Sequence, residues 1–196
     1  MNALITKMTS LGLWICLVLS LAAAPAGAAD TPAPPFTLAD DHGNSVSLPR
    51  RHEGVDIYLF WASWCPYCKA LMPHLQSILI EYAGDVRIYA LNIRDDGNPR
   101  EFLDQQGFDF ILLPDADPIM PLYGVKATPG LFLVDGRGNI RLNLYKLAGN
   151  DSPAYKTMDN RQKSARRAPW WAAEVRQTID HILSQKRNPP RRPFIP

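Results

Sequence analysis

An apolar run that ends just before two closely spaced cysteines is the feature that most constrains how this chain can fold. Residues 55–61, VDIYLFW, are almost continuously apolar, as expected for a central strand that is covered on both faces. Cys65 and Cys68 follow, and Pro66 between them suits the first position of a helix, where a fixed φ and a missing N–H cost nothing. The sequence therefore predicts a strand-to-helix junction with Cys65 as the helix N-cap.

The predicted position of Cys65 determines its chemistry. Unpaired N–H groups and the positive end of the helix dipole stabilise an anion there, so we expect a thiol pKa below the ordinary value of about 8.5. Cys65 is then the exposed nucleophile, and Cys68, one turn deeper, is the shielded thiol that resolves a mixed disulfide. Trp64, Pro66 and Tyr67 are expected to form an apolar rim around the sulfur. The four histidines show no ligand spacing, and we predict no metal and no cofactor.

The first part of the chain has the pattern of an export signal. One positive charge precedes the apolar stretch 11–24, which is too short to span a bilayer comfortably, and small residues follow. We expect residues 1–29 to be a cleaved signal peptide and the protein to be periplasmic; an uncleaved membrane anchor is the alternative. Cleavage would remove Cys16 and leave Cys65 and Cys68 as the only cysteines, so the pair is not a structural staple.

The rest of the chain has the size and composition of one domain. Apolar residues make up 46% of the sequence, which is enough to bury a core. We predict a Pro- and Ala-rich spacer at 30–35, a domain at 36–187 and a disordered tail at 188–196. Within the domain, residues 145–168 are polar and basic without periodicity, which predicts a loop or insertion, and residues 169–187 have the pattern of an amphipathic C-terminal helix.

Hairpins and a crossover unit predict an α/β fold. Two short strands flank a DHGN turn within 36–48, and two more flank a DGRGN turn within 131–144. Residues 86–93 form the strand that completes a parallel β-α-β unit, and residues 98–107 carry the capping signals of a second helix. The predicted architecture is a mixed central sheet flanked by helices, with an extra N-terminal β-hairpin.

Residues 60–69, FWASWCPYCK, resemble the thioredoxin superfamily, and within it the exported TlpA-like and cytochrome-maturation thiol-disulfide oxidoreductases. Pro73 falls where that superfamily has a helix-kinking proline, and the segment ATPG at 127–130 is similar to its cis-proline loop. The resemblance implies a thioredoxin-like fold with a cis bond before Pro129. It also implies that Thr128 offers its main-chain groups to an extended client strand beside the dithiol.

Two departures from that group leave the redox direction open. Leu71 stands where exported reductases of the group often carry an acid, and Leu59 stands where thioredoxin has a buried aspartate. The proton acceptor for Cys68 is therefore unassigned; Asp56 or water could serve, although Asp56 near the start of the strand is more simply a solvated end residue. The Pro-Tyr dipeptide also occurs in glutaredoxins, whose potentials of about −200 to −230 mV are more oxidising than that of thioredoxin.

The residues predict thiol-disulfide exchange with exported client proteins, and we expect a monomer. The resemblance implies that the protein is a reductase supplied by a membrane electron donor. The net charge of +2 does not indicate nucleic-acid binding. A disulfide oxidase or isomerase is the alternative enzyme, and a copper chaperone is the alternative outside enzymes, because reduced vicinal thiolates can hold Cu(I). A thiol peroxidase is disfavoured, since that chemistry places Thr three residues before the reactive cysteine and Ala62 stands there.

Overall fold

The computed structural model describes residues 31–147 and 152–187. The predicted signal peptide at 1–29 and the predicted tail at 188–196 lie outside these described residues. Within the two described ranges, none of the helices combines the length and the apolar character that a membrane crossing requires.

Within residues 31–147 and 152–187, eight strands form one mixed sheet and one small hairpin. The strands are β1 Thr31–Pro32, β2 Phe36–Ala39, β3 Ser45–Leu48, β4 Val55–Trp61, β5 Val86–Asn92, β6 Ile111–Leu113, β7 Gly130–Asp135 and β8 Asn139–Asn143. The six-stranded sheet has the order β1-β8-β7-β4-β5-β6, and β2 pairs with β3 in a separate hairpin. Strands β4, β5 and β6 are parallel, whereas β7 runs antiparallel to β4 and β8. The predicted mixed sheet and N-terminal hairpin are confirmed.

In the described part of the chain, five α-helices and two short 3-10 turns connect or cover the strands. The helices are α1 Pro66–Glu81, α2 Pro99–Gln106, α3 Met120–Tyr123, α4 Pro153–Lys156 and α5 Asn160–Arg187, and the 3-10 turns are Asp117–Ile119 and Leu144–Lys146. Helix α2 has the predicted ends, because the Asn98 side chain accepts the Glu101 N–H at 3.1 Å and Gly107 adopts a φ of 68° at the C-cap. Pro73 lies inside α1.

Alternate residues of β4 build the two halves of the core. Ile57, Leu59 and Trp61 pack into the apolar cluster formed with α1 and α5, whereas Tyr58 and Phe60 pack into the cluster beneath the β2–β3 hairpin and α3. Every residue of β4 is buried. Both faces of the strand are thus covered, as its apolar run predicts, and its C-terminal end is a rigid base for the cysteine segment.

The N-terminal part of the predicted spacer belongs to the sheet. Thr31 and Pro32 pair with Ile140 and Asn139 of β8, so these residues are held at the edge of the sheet instead of linking freely to it. A proline is tolerated there because an edge strand needs only one of its sides to bond.

The predicted loop at 145–168 is wrong over its second half. Helix α5 starts at Asn160 and is 28 residues long, and Pro169, where the sequence predicted the helix to start, lies inside it. The true start is marked by Asp159 and Gln162, whose side chains each accept the other's backbone N–H, at 2.8 and 3.1 Å. Burial of Ala168 and Trp171 in the core cluster stabilises the helix across the proline.

Candidate active site

The two cysteines form a disulfide at the N-terminus of α1. Their Cα atoms are 5.3 Å apart, which is in the ordinary range for a disulfide. Cys65 is the N-cap and Pro66 occupies the first turn, as predicted, and the Cys68 N–H donates to the Cys65 Sγ at 3.1 Å. The first turn of α1 therefore directs a backbone donor at the sulfur that is expected to carry negative charge after reduction.

Cys65 was predicted to be exposed, but it is buried. Its relative exposure is 1% and that of Cys68 is 0%, and both belong to the apolar cluster on the α1 side of the sheet. The reason is the turn before the helix, in which the Cys65 N–H donates to the Ala62 carbonyl at 3.1 Å and folds the sulfur inward. Trp64, which is 57% exposed, takes the outward position, and its Nε1 donates to the Arg94 carbonyl at 2.8 Å.

The predicted cis-proline loop lies at the same end of the sheet as the cysteines. The Thr128–Pro129 peptide bond is cis. Gly130, the next residue, pairs with Phe60 near the end of β4, so the loop approaches the end of β4 from which the chain continues to Cys65. The pairing of β4 with β7 therefore brings together two segments that lie far apart in the sequence.

A cavity of about 290 Å³, here called the proline cavity, joins this loop to the cysteine segment. Of the predicted site residues, Tyr67, Thr128 and Pro129 line it. Trp64 and Pro66 do not line it, and both are exposed beside the disulfide. The predicted rim is thus divided between one residue that faces the cavity and two that face solvent.

Sequence reasoning missed most of the far wall of the proline cavity. The further lining residues are Ala127, Leu144, Tyr145, Leu147, Arg167 and Trp171. The hydroxyl of Tyr145 donates to the Ala127 carbonyl next to the cis bond, and the Trp171 ring lies 6.1 Å from that of Tyr67. Ala127 belongs to the predicted proline loop. The other residues follow β8 or belong to α5, and no local pattern in the sequence indicates that they reach the cysteines.

A carboxylate that the sequence analysis did not single out holds the turn before the disulfide. Asp95 accepts hydrogen bonds from the Ser63 backbone N–H, from the Ser63 hydroxyl at 2.7 Å, from Asn92 at 2.8 Å and from the Gly97 N–H at 3.1 Å. Burial by itself would raise the pKa of Asp95, but the hydrogen bonds from Asn92, Ser63 and Gly97 outweigh it and hold this pKa below its usual range. The available signal was an acid three residues after the end of the buried strand β5.

Asp56 is neither solvated nor close to the cysteines. It is 1% exposed, and its carboxylate lies 3.0 Å from Arg87 Nε and 3.0 Å from His52 Nε2. Asp56 lies five positions before Trp61 in the strand, which corresponds to about 17 Å at a rise of about 3.3 Å per residue. The buried Asp56 therefore forms a structural ion pair at the end of β4 that lies far from the cysteines. At this distance it cannot accept a proton from Cys68.

No group of three or more His, Cys, Asp or Glu residues that could hold a metal ion occurs within 31–147 and 152–187.

Comparison with known proteins identifies the family. A model of the AhpC/TSA family matches residues 29–143, which is more than half of the chain and includes both cysteines and the proline loop. The chain belongs to the AhpC/TSA family. The predicted redoxin resemblance is thereby confirmed, and the family match ends at β8, before the segment that forms α4 and α5.

Relatives of this AhpC/TSA protein are named for disulfide chemistry. It is 32% identical over 109 residues to the thiol-disulfide oxidoreductase ResA of Halalkalibacterium halodurans, covering 54% of this chain and 61% of that one. It is 37% identical over 103 residues to a thiol:disulfide interchange protein DsbE homolog of Paracoccus denitrificans, covering 50% and 53%. The chain thus spans less than two thirds of the length of these relatives.

A solved structure supports the fold. A Chlorobium tepidum protein described as a thiol:disulfide interchange protein DsbE superimposes with a TM-score of 0.58 at 27% identity, covering 79% of this chain and 96% of that one. The predicted thioredoxin-like α/β fold is confirmed.

Proposed function

We propose that this protein is a thiol-disulfide oxidoreductase in which Cys65 is the nucleophile and Cys68 resolves the mixed disulfide. The observation that carries the proposal is a disulfide at a helix N-cap, beside a cavity lined by Thr128 and Pro129. The names of its relatives add support. A redundant structural disulfide would not need a helix N-terminus or an adjoining cavity.

The proposed reaction transfers two electrons from the dithiol to a client disulfide. The Cys65 thiolate, which the Cys68 N–H stabilises, attacks one client sulfur; a Cys65–client disulfide forms and the first client thiolate leaves. The Cys68 thiolate then attacks the Cys65 Sγ, and the second client thiol is released as the Cys65–Cys68 disulfide forms. A dithiol donor, which we propose to be a membrane protein, reduces this disulfide again by the same exchange.

The proline cavity is the proposed binding site for the client segment around its disulfide. An extended client strand can hydrogen-bond to the main chain of Thr128, while Tyr67 and Pro129 supply apolar contact. Trp64 and Pro66 would meet the client from the exposed side of the disulfide. This arrangement fits clients with an accessible disulfide in an extended or unfolded segment.

We further propose that the protein acts as a monomeric reductase in the periplasm. The leader pattern of residues 1–29 supports export, and the resemblance to exported reductases supports the direction. The alternative, an oxidase or isomerase, is favoured by Leu71, which is 0% exposed at the place where reductases of this group often carry an acid. A standard potential near about −120 mV would support the oxidase, and a clearly more negative one the reductase.

Reduction of insulin with dithiothreitol as the electron donor tests the proposed nucleophile. We expect Cys65→Ser to abolish the catalysed rate. When reduced Cys68→Ala is mixed with insulin after the dithiothreitol has been removed, we expect the mixed disulfide that the second cysteine normally resolves to accumulate. Circular dichroism of both variants controls for folding. Catalysed reduction by a folded Cys65→Ser protein would contradict the assignment.

A further inference from the structure

A second cavity adjoins the proline cavity and differs from it in charge. Five residues line this cavity of about 330 Å³, here called the basic pocket: Tyr67, Tyr155, Lys156, Lys163 and Arg167. Tyr67 and Arg167 also line the proline cavity, so the two cavities meet across these side chains. A client strand in the proline cavity would therefore have the basic pocket directly beside it.

Helix α4 and the start of α5 form the walls of the basic pocket. Ser152 caps α4, which places Tyr155 and Lys156 opposite the first two turns of α5. Tyr155 is 7% exposed, so α4 is anchored by burial of this ring. Lys163 and Arg167 are one turn apart on α5 and share a face, which directs both cations at the same ring. The stretch predicted as a solvated basic loop is thus a folded wall of the site.

Arg167 is held rigidly and has an unused donor. Its guanidinium lies 4.8 Å from the centroid of Tyr155 and 5.9 Å from that of Trp171. Its Nε is buried and makes no hydrogen bond to any described residue. The Arg167 side chain lines the basic pocket, so a carboxylate that entered the pocket could form a charge-assisted bond with its guanidinium.

The charge of the basic pocket is not neutralised from within. Within the described ranges, Lys156, Lys163 and Arg167 form no ion pair, and no carboxylate lines either cavity. By contrast, Arg176 of the same helix contacts Glu81 at 2.7 Å. Three cations around one cavity, one of them stacked between aromatic rings, are complementary to a carboxylate on a partner.

We propose that the basic pocket binds an acidic side chain of the client polypeptide, a few residues from the client cysteine, and so selects clients whose disulfide has Asp or Glu nearby. The proposal rests on the proposed thiol-disulfide exchange and adds a substrate class to it. Tyr67, two residues after Cys65, lines both the proline cavity and the basic pocket. A client bound in the proline cavity near the disulfide could therefore place a neighbouring carboxylate in the basic pocket.

Exchange rates with matched peptides test the proposal. Three peptides would carry one cysteine as a mixed disulfide with 2-thiopyridine and differ only in flanking residues, which are acidic, neutral or basic. Release of thiopyridone by the reduced protein is followed by absorbance in a stopped-flow instrument. At low salt we expect the acidic peptide to react roughly tenfold faster than the neutral one, which is the lower end of electrostatic steering. This ratio should shrink as the Debye length falls from about 30 Å at 0.01 M to about 8 Å at 0.15 M salt.

Two charge-reversal variants locate the effect. Lys163→Glu should bring the acidic-to-neutral ratio towards one or below it. Arg161→Glu is the matched control, because Arg161 is exposed on the same helix, lines neither cavity and changes the net charge equally. Lys163→Gln serves if the glutamate variant does not fold.

The outcomes separate the two proposals. Equal, measurable rates for all three peptides would overturn the acidic-client proposal and leave the exchange activity standing. An equal loss of preference in the Lys163 and Arg161 variants would also overturn it, since the effect would then come from net charge. Failure of all three peptides to react would instead contradict the proposed function.

Discussion

Replacing Asp95 with asparagine tests whether this carboxylate holds the turn that carries Cys65. Asparagine preserves the size of the side chain, but it removes the charge and replaces one acceptor oxygen with an NH2 group. In the structure, one carboxylate oxygen accepts from the Ser63 N–H and from Asn92, and the other accepts from the Ser63 hydroxyl and the Gly97 N–H. Asp95→Asn therefore leaves one of these two pairs of donors facing another donor.

The size of the effect follows from these bonds. A donor that loses its acceptor costs about 1 to 3 kcal/mol, and the lower end applies here because Asp95 is only partly buried. Two such donors predict a loss of about 2 to 3 kcal/mol in the free energy of unfolding for Asp95→Asn. We also expect the turn at 62–65 to loosen, and the reduced Cys65 to be alkylated at a changed rate.

The pH dependence gives an independent check. The pKa of Asp95 is lowered in the folded protein, so the carboxylate contributes stability that is fully present above its unfolded pKa of about 3.9. That contribution is lost as the pH falls through the lower folded pKa. The difference in stability between the natural protein and Asp95→Asn should therefore be full at pH 7 and shrink below about pH 4.

Urea denaturation of the oxidised proteins at pH 7 and in the acid range measures both expectations. Asp96→Asn is the matched control, because Asp96 is the exposed neighbouring acid. Equal loss of stability in the two variants at pH 7, or a difference for Asp95→Asn that does not change with pH, would refute the assigned role of the Asp95 carboxylate.

Two further substitutions test the supports on either side of the site. Gly130→Ala would place a methyl carbon 2.8 Å from the Tyr145 hydroxyl, so we expect the free energy of unfolding, measured by thermal or urea denaturation, to fall by about 1 to 3 kcal/mol. In a Tyr145→Phe background, which lacks the hydroxyl, part of this loss should be recovered. No recovery would show that the hydroxyl is not the obstacle. Asp56→Ala would leave Arg87, whose side chain is 36% exposed, without its buried partner, and we expect a loss of about 1 to 3 kcal/mol in the free energy of unfolding. The exchange rate of Cys65 in the folded Asp56 variant should not change, because the ion pair lies at the far end of β4, and a slowed exchange would count against that separation.

Local features of the sequence were sufficient to predict the helix start that carries the two cysteines. Pro66 after Cys65 marks a helix start, and its effect depends only on φ and on a missing N–H, both of which are properties of the residue itself. The same holds for the ends of α2, where Asn98 and Gly107 act through their own side chain and backbone freedom. Such interactions span at most one helical turn, so the sequence displays them directly.

Burial and long-range contacts were not predictable in this way. Cys65 was expected at the surface, yet the turn that Asp95 clamps folds it inward. Asp56 was expected in solvent, yet Arg87 on the neighbouring strand allows it to be buried. In both cases the deciding partner is about thirty residues away, and only the pairing of β4 with β5 brings it close.

The amino-acid sequence by itself determined the strand-to-helix junction, the spacing of the two thiols and the burial of β4 on both faces. The first two depend on residues within one helical turn, and the third depends on a continuous apolar run. Only the tertiary structure decided what surrounds the dithiol. Helix α5 begins before Pro169 since its buried residues pack on the core, and this packing brings Arg167 and Tyr155 to the edge of the proline cavity. These contacts form only when residues distant in the sequence pack together in the folded core, so no local stretch of the chain predicts them.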